Sequence, residues 1–320
     1  MSSCRLSGRA SIGFRRLSVI TVVALVVLVT LGGVVRVTES GLGCPDWPLC
    51  HGQIIPPADL ETLIEYSHRL MASITGLLVL LMTVWVWIKY RDRLIFLIPS
   101  TVGLLLVVIQ GILGGITVLT ELESDLVTAH LALAEILLAL YISIALFAIR
   151  GGRFSISKTD RLGMLAVVSA VILYVLLLSG SLVTTSGASG VCNDWPFCQG
   201  GSFMSDRLSI IHMIHRCIVI VAGLSVLTTI WWAIKTFPRR PYVVMASVIA
   251  GVLFLGQVFV GAVAVWGDLP AELRALHLTL GTLVWGAVTI VALLHCVDIS
   301  KPSMGNFSDN DNSSCLATVI

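Results

Sequence analysis

The chain has 320 residues, of which 57% are apolar and only 12% are charged, and its mean hydropathy is +0.98. Water-soluble domains of this size do not have such a composition, so the sequence excludes a soluble globular protein. The formal net charge of +2 gives no indication of nucleic-acid binding.

Eight apolar segments follow one another along the chain, and each approaches or exceeds the length of about 20 residues that a membrane-spanning helix needs. They cover residues 17–35, 64–88, 94–119, 126–149, 162–183, 210–234, 242–266 and 273–294. A backbone in hydrocarbon has to satisfy its hydrogen bonds internally, so each segment predicts a transmembrane helix. The predicted fold class is an all-α polytopic membrane protein.

The distribution of charge predicts the orientation of the chain. One set of connections holds 15 of the 20 Lys and Arg residues, and the opposite set holds 12 of the 18 acidic residues. Basic loops stay in the cytoplasm, so we expect both termini to be cytoplasmic. The first apolar segment lacks a small-residue cleavage site, so we expect a retained helix. The cytoplasmic parts are then the N-terminus at 1–16, a linker at 150–161 and a disordered tail at 298–320.

The sequence repeats itself after 147 or 148 residues. His68, Gln110 and His130 are matched by the same residue types 147 positions later, and GCPDWPLC at 43–50 is matched by VCNDWPFC at 191–198. Four crossings return a chain to its starting side. We therefore predict two parallel four-helix repeats, at 17–149 and 162–297, related by an axis along the membrane normal.

Two cysteine pairs lie in the connections that the charge pattern places outside the cytoplasm, where disulfides persist. Five residues separate Cys44 from Cys50 and Cys192 from Cys198. A turn that brings the two Cα atoms of a pair to within about 6 Å allows a disulfide in each loop. A staple that shapes the loop is one interpretation of these bonds, and a redox-active disulfide is the other.

Four histidines lie within the predicted helices at matching depths. His68 and His130 are 62 residues apart in the first half, and His215 and His277 are 62 residues apart in the second. Polar residues inside a membrane bundle often mark function, although a single histidine of this kind is as often a packing residue. Two facing imidazoles on parallel helices suit the iron of a haem with both axial positions filled. Zinc fits less well, because no carboxylate or thiolate completes a tetrahedral set in the second half.

An arginine follows the first histidine of each pair, as Arg69 and Arg216. A planar guanidinium at this level would suit the propionates of a haem. The alternative is that both arginines simply extend towards the membrane surface.

The two halves differ three residues before that first histidine, where the first half has Glu65 and the second has His212. A spacing of three places both members on one helix face. A carboxylate one turn from an iron ligand can orient the imidazole or move protons, so the first half is the candidate reaction site. The alternative is that Glu65 faces the outer aqueous layer. No role is assigned to Glu135, within the fourth segment.

The chain resembles the haem A synthase family over roughly residues 17–294. The motifs that carry the resemblance are VTESGLGCPDWPLCHG, IEYSHR, QGILGGITVLT, TAHLAL, CNDWPFCQG, IHMIHR and RALHLTLG. The resemblance implies an enzyme of cytochrome oxidase assembly that oxidises a ring methyl of haem O to a formyl group through a hydroxymethyl intermediate. It further implies a b-type haem cofactor in the second half.

Carried onto this sequence, the resemblance makes Glu65 the catalytic carboxylate. It places substrate haem O between His68 and His130, and it makes His215 and His277 the ligands of haem b. The presence of both cysteine pairs resembles bacterial members, which implies the plasma membrane of a bacterium. The implied partners are haem O synthase and cytochrome oxidase assembly factors, besides lipid and a second copy of the chain.

Two alternatives belong to other classes of protein. A two-haem electron carrier of the cytochrome b kind would hold both haems permanently, but it has no need of a carboxylate at one site only. A small-molecule transporter would be expected to have helices broken by Gly or Pro near the midplane, which the sequence does not indicate.

Overall fold

The computed structural model describes residues 9–151, 153–154, 161–198, 206–236 and 240–298, with side chains omitted for 153–154 and 295–298. Three segments discussed above lie wholly or partly outside these ranges. They are residues 1–8 of the N-terminus, most of the linker at 150–161, and residues 299–320 of the predicted tail.

Eight α-helices account for the described architecture. They are α1 (Ile12–Val37), α2 (Leu60–Lys89), α3 (Leu94–Leu119), α4 (Ser124–Arg150), α5 (Arg161–Thr185), α6 (Arg207–Thr236), α7 (Pro241–Trp266) and α8 (Ala271–Cys296). All eight are long and apolar enough to cross a membrane. The prediction of an all-α polytopic membrane protein with eight helices is therefore confirmed.

Several helices extend beyond the apolar segments that predicted them, because polar residues continue or cap the first turn. α2 begins at Leu60, before the apolar segment at 64–88, and the Asp59 carboxylate accepts a hydrogen bond from the Thr62 N–H at 3.0 Å. α1 begins in the same way, where the Ser11 hydroxyl oxygen accepts from the Phe14 N–H. Side chains of this kind satisfy N–H groups that the helix itself leaves free.

The helices pack in the same order in each half of the chain. In the first half (α1–α4), α1 and α3 each contact α2 and α4, and in the second half (α5–α8), α5 and α7 each contact α6 and α8. The halves meet where α8 packs on α1 and α4 and where α4 packs on α5. This packing suits two four-helix units, while their relation by an axis along the membrane normal stays a prediction.

The most buried helices are α4 and α8. In each of them half of the most apolar stretch of 18 residues is buried, compared with 22–39% in the other six helices. The outer helices expose large apolar side chains instead, among them Leu105 on α3 and Phe259 on α7. An apolar exterior around a central pair is what a lipid environment favours.

Two disulfide loops and one short pair of strands complete the fold. Both disulfide loops lie at one end of the bundle, between α1 and α2 and between α5 and α6, and we call this end the loop end. Away from it, Arg153–Phe154 (β1) pairs antiparallel with Val297–Asp298 (β2), which joins the connection between the halves to the segment after α8. The predicted placement of the loop end outside the cytoplasm stays a prediction.

Candidate functional site

Each of the four helix histidines packs directly against a glycine of the preceding helix. A Cβ atom built on that glycine would lie 2.7–3.2 Å from the Cε1 atom of the imidazole. The pairs are Gly32 with His68, Gly114 with His130, Gly180 with His215 and Gly261 with His277. A Cβ atom at 2.7 Å would force a shift, and one at 3.0–3.2 Å would require the ring to give by a few tenths of an ångström, so each ring lies closely against the glycine. In the sequence, a glycine such as Gly32 or Gly114 within an apolar segment indicates only that two helices approach closely.

The four imidazoles form one pair in each half. His130 lies within electrostatic reach of His68, and His215 lies within reach of His277. All four residues are only partly buried in the protein, so each keeps some accessible surface. Among the described residues no group of three or more His, Cys, Asp or Glu side chains could hold a metal ion. Two facing imidazoles instead suit a metal that already has four ligands in a plane, as haem iron has.

The Nδ1 atoms of the second-half histidines both have hydrogen-bond partners. Nδ1 of His215 lies 2.8 Å from the Ser179 hydroxyl, and Nδ1 of His277 lies 3.1 Å from the backbone carbonyl of Gln257. A carbonyl can only accept, so Nδ1 of His277 donates and Nε2 of that ring keeps its lone pair. This is the arrangement that metal-binding histidines usually have.

The Nδ1 atoms of the first-half histidines are different. Those of His68 and His130 are buried, and neither has a hydrogen-bond partner among the described residues. The Leu28 carbonyl lies near His68 and is at most a weak acceptor for it, outside the geometry of a well-formed hydrogen bond to Nδ1. The Gln110 side chain donates instead to the backbone carbonyl of His130, at 2.8 Å. The two halves therefore hold their imidazoles in different ways.

Glu65 is buried rather than facing an aqueous layer, with only 4% of its surface exposed. Its Oε1 atom accepts a hydrogen bond from Nε of Arg69 at 2.8 Å, which forms an ion pair one turn along α2. The matching residue His212 is 6% exposed, and its Nδ1 lies 2.9 Å from the carbonyl of Ala188 in the short 3₁₀ turn after α5. The first half alone thus has a buried carboxylate at this position.

Arg69 and Arg216 contact the disulfide loops. Arg69 donates to the carbonyls of Asp46, Leu49 and Cys44 at 2.7–2.8 Å, and Arg216 donates to those of Asp194, Pro196 and Cys192 at 2.7–3.4 Å. Four bonds from Arg69, including the one to Glu65, use most of the five N–H groups of its guanidinium. Contact of these arginines with haem propionates stays a prediction, and the structure gives both residues a role in holding a loop.

The disulfides form as the sequence predicts, between Cys44 and Cys50 and between Cys192 and Cys198. Within the first loop, the Asp46 carboxylate accepts from the backbone N–H groups of His51 at 2.6 Å and Gly52 at 2.7 Å. These hydrogen bonds, that from Gly52 above all, hold the pKa of Asp46 below its usual value. The loop is therefore closed both by its disulfide and by the hydrogen bonds to the Asp46 carboxylate.

The first loop docks on α3 through Trp47. A Cβ atom built on Gly115 would lie 2.8 Å from Cδ2 of this indole, so the ring lies directly on the helix backbone. Gly114, the residue before it, lies against His130. The loop and a site histidine therefore share one stretch of α3, and the pair of glycines serves two different contacts.

Glu135 is a buried carboxylate at the contact between the halves. It is 0% exposed, and its Oε1 accepts from the Thr282 hydroxyl at 2.7 Å. Its backbone carbonyl accepts from the Trp285 indole at 3.3 Å, while Oε2 has no partner among the described residues. Thr282 lies 147 residues after Glu135, which is the repeat distance. In the sequence, the repeat distance between the two residues is the feature that could have indicated this contact.

Two further arginines lie near the site, and the sequence indicated no role for either of them. Nε of Arg36 is buried without a hydrogen-bond partner among the described residues, and Arg274 lies within electrostatic reach of it. Both lie one turn towards the loop end from a site element, Arg36 from Gly32 and Arg274 from His277. Two positive charges here favour anions at the contact between α1 and α8.

Comparison with known proteins places this arrangement in a family. The family model described as COX15-CtaA, cytochrome oxidase assembly protein, matches residues 15–289. The chain belongs to this family. The match covers all four histidines, both disulfide loops and Glu65, so the resemblance from the motifs is confirmed at the level of the family.

Curated relatives within the family are similar along nearly their whole length. A protein named Heme A synthase from Shouchella clausii (strain KSM-K16) is 30% identical over 297 residues, covering 88% of this chain and 97% of the relative. Another of that name from Exiguobacterium sibiricum is 31% identical, covering 84% of this chain and 90% of the relative. A third, from Bacillus licheniformis, is 26% identical and covers 87% and 94%.

Replacing Asp46 by Asn is expected to loosen the first loop. Because the folded-state pKa is lowered, the carboxylate stabilises the loop above its unfolded pKa, and that stabilisation is lost as pH falls through the folded value. Hydrogen exchange of residues 44–53, corrected for intrinsic rates, should show protection that falls with acid in the wild type. In Asp46→Asn, protection should be low and largely independent of pH.

Glu61→Gln is the control for this prediction, since it removes an exposed charge near the same loop. That variant should keep the wild-type profile. Equal protection of wild type and Asp46→Asn at neutral pH would show that the carboxylate does not hold the turn.

Proposed function

We propose that the chain is a haem A synthase, an oxidoreductase that oxidises the ring methyl of haem O to a formyl group through a hydroxymethyl intermediate. In this proposal the first half takes haem O as substrate, and the second half keeps a b-type haem. The observation that carries the proposal is the presence of a glycine-backed histidine pair in each half, with a buried carboxylate next to the first pair only. The names of the relatives support the same reaction.

The second half suits a permanent haem. His215 and His277 lie within electrostatic reach of each other, and the Nδ1 atom of each has a hydrogen-bond partner. These two residues would bind the iron through Nε2. A haem held by both histidines would supply one-electron transfer to the rest of the protein.

The first half suits a haem that is processed. His68 and His130 would flank the substrate and orient its ring methyl, and Glu65 would hold or move protons near that methyl group. Arg69 fixes Oε1 of Glu65 and at the same time holds three carbonyls of the first disulfide loop. The loop therefore restrains the proposed catalytic carboxylate through a single side chain.

The membrane setting follows from charge and family. We place the chain in the plasma membrane of a bacterium, with both termini in the cytoplasm and both disulfide loops outside it. Haem O synthase would be the source of the substrate, and cytochrome oxidase assembly factors would take the product. Association with a second copy of the chain also belongs to this proposal.

The first test is to extract the haems that copurify with the protein when it is expressed beside a supply of haem O. Haem B together with haem O, its hydroxylated form or haem A is the expected result. Two molecules of haem B per chain, unchanged by the supply of haem O, would contradict the proposal and establish a two-haem electron carrier.

Replacing Glu65 by Gln is expected to stop turnover while sparing the fold. The amide oxygen can still accept from Arg69, so the loop contact is kept, but the side chain can no longer ionise. Haem A formation should fall by roughly 10²–10⁴-fold, the usual contribution of a general acid or base. Chromatography of extracted haems measures the loss, and the haem B content should stay at the wild-type level.

Glu61→Gln again serves as the matched control, since Glu61 lies one turn earlier on α2 and is exposed. It should form haem A at the wild-type rate. Normal haem A output from Glu65→Gln would remove Glu65 from the mechanism.

Replacing Gly261 by Ala is expected to displace His277, because the new Cβ would lie 2.7 Å from Cε1 of the ring. The haem B content of the purified protein should fall, measured by pyridine haemochrome absorbance. Gly256→Ala on the same helix is the control, since a Cβ there meets nothing within 4 Å. Equal haem content in the two variants would mean that the glycine does not position the histidine.

A further inference from the structure

His68 and His215 are placed almost identically against their glycines. From a Cβ built on Gly32, the Cε1, Nδ1 and Nε2 atoms of His68 lie at 3.0, 3.5 and 3.7 Å. From a Cβ built on Gly180, the same atoms of His215 lie at 3.2, 3.7 and 3.9 Å. Any difference between these two imidazoles therefore comes from their other neighbours.

Ser179 is such a neighbour, and its hydroxyl fixes the tautomer of His215. Oγ of Ser179 lies 2.7 Å from the carbonyl of Leu176 and 2.8 Å from Nδ1 of His215. A hydroxyl has one proton, and the carbonyl can only accept it. The hydroxyl therefore accepts from Nδ1–H, which leaves the lone pair of Nε2 free.

At the matching position the first half has a leucine, which carries no hydroxyl. The repeat distance that relates Gly32 to Gly180 places Leu31 where Ser179 lies, and Leu28 where Leu176 lies. Nδ1 of His68 accordingly has no well-formed hydrogen bond within the described part of the chain, where the Leu28 carbonyl is its nearby weak acceptor. Nδ1 of His130 also lacks a partner among the residues that the structure describes, whereas His277 donates to the Gln257 carbonyl. Among the described residues, both second-half rings have a well-formed hydrogen bond at Nδ1, and neither first-half ring has one.

We propose that Ser179 is a positioning residue that makes haem binding in the second half permanent, and that Leu31 leaves the first half able to release its haem. This inference rests on the proposed function, because it takes His215 and His277 as the ligands of a resident haem. Ser179 acts through His215 and touches no reacting atom. One serine and one leucine at matching positions then separate a cofactor site from a substrate site.

The physical basis is the effect of a hydrogen bond on a metal-bound imidazole. An acceptor at Nδ1–H fixes the ring orientation and makes Nε2 a stronger donor, and loss of such a partner typically weakens metal binding by roughly 10–100-fold. A stronger donor also favours ferric over ferrous iron. Removing the Ser179 hydroxyl should therefore weaken haem binding and raise the midpoint potential of the second-half haem.

The test compares Ser179→Ala with the wild-type holoprotein by two measurements that do not depend on turnover. The first is the rate of transfer of haem B to excess apomyoglobin, which should increase by roughly 10–100-fold. The second is a spectroscopic redox titration, in which the midpoint potential should rise. Ser179→Thr keeps the hydroxyl and should restore both values.

Ser181→Ala is the matched control, since Ser181 lies two residues further along α5 and its hydroxyl pairs with Thr128 rather than a histidine. It should leave the transfer rate and the potential unchanged. Should Ser179→Ala fail to fold, Ser179→Cys carries the test, because its sulfur is a weak acceptor and should give an intermediate release rate and potential.

Leu31→Ser is the reciprocal variant. A serine there can donate to the Leu28 carbonyl, three residues back, and accept from Nδ1 of His68, as Ser179 does in the second half. Transfer of haem O or haem A from the first half to apomyoglobin should become slower than in the wild type. Unchanged transfer would overturn the role given to Leu31.

The outcomes separate the two proposals. A wild-type protein that copurifies without haem B would contradict the proposed function itself. A wild-type protein that holds haem B, together with a Ser179→Ala variant that has the same release rate and potential, would overturn only the inference about Ser179.

Discussion

The contact between an imidazole ring and the bare backbone of a glycine is the constraint on which the site depends. It occurs four times, and each time it joins two helices that are consecutive in the chain. Even a methyl group on the glycine would require the ring or the helix to shift by tenths of an ångström, and a metal ligand tolerates little displacement. The same contact sets the approach of α1 to α2, α3 to α4, α5 to α6 and α7 to α8. Packing of the helices and presentation of the ligands are therefore one requirement.

The disulfide loops are coupled to that arrangement through the residue after the first histidine of each half. Arg69 and Arg216 each donate to three loop carbonyls, so the loop and the neighbouring ring share one helical turn. In the first half the coupling extends to Glu65, because the same guanidinium holds its carboxylate. An arginine at this position makes the geometry of the first disulfide loop relevant to a buried acid.

The sequence predicted the features that depend on local pattern. Apolar length predicted eight helices, and spacing predicted the disulfides of Cys44 and Cys192 with their partners. It did not predict the partners of Arg69 or the tautomer of His215. These contacts join residues that are far apart in the chain, and a sequence pattern does not indicate which carbonyl or hydroxyl group will lie beside them. Gly114 illustrates the same limit, since a glycine in a helix suggests close packing without indicating that the neighbour is a site residue.

The contact between Glu135 and Thr282 has a consequence for how the two halves can exist. Residues one repeat apart meet there face to face, as equivalent positions do across a two-fold contact between identical subunits. Two copies of the first half would oppose glutamate to glutamate, burying two carboxylates together, and two copies of the second half would oppose threonine to threonine without an anion. At this contact the glutamate of the first half is therefore complementary to the threonine of the second half and not to a second glutamate. Expressed as separate polypeptides, the two halves should assemble as a heterodimer.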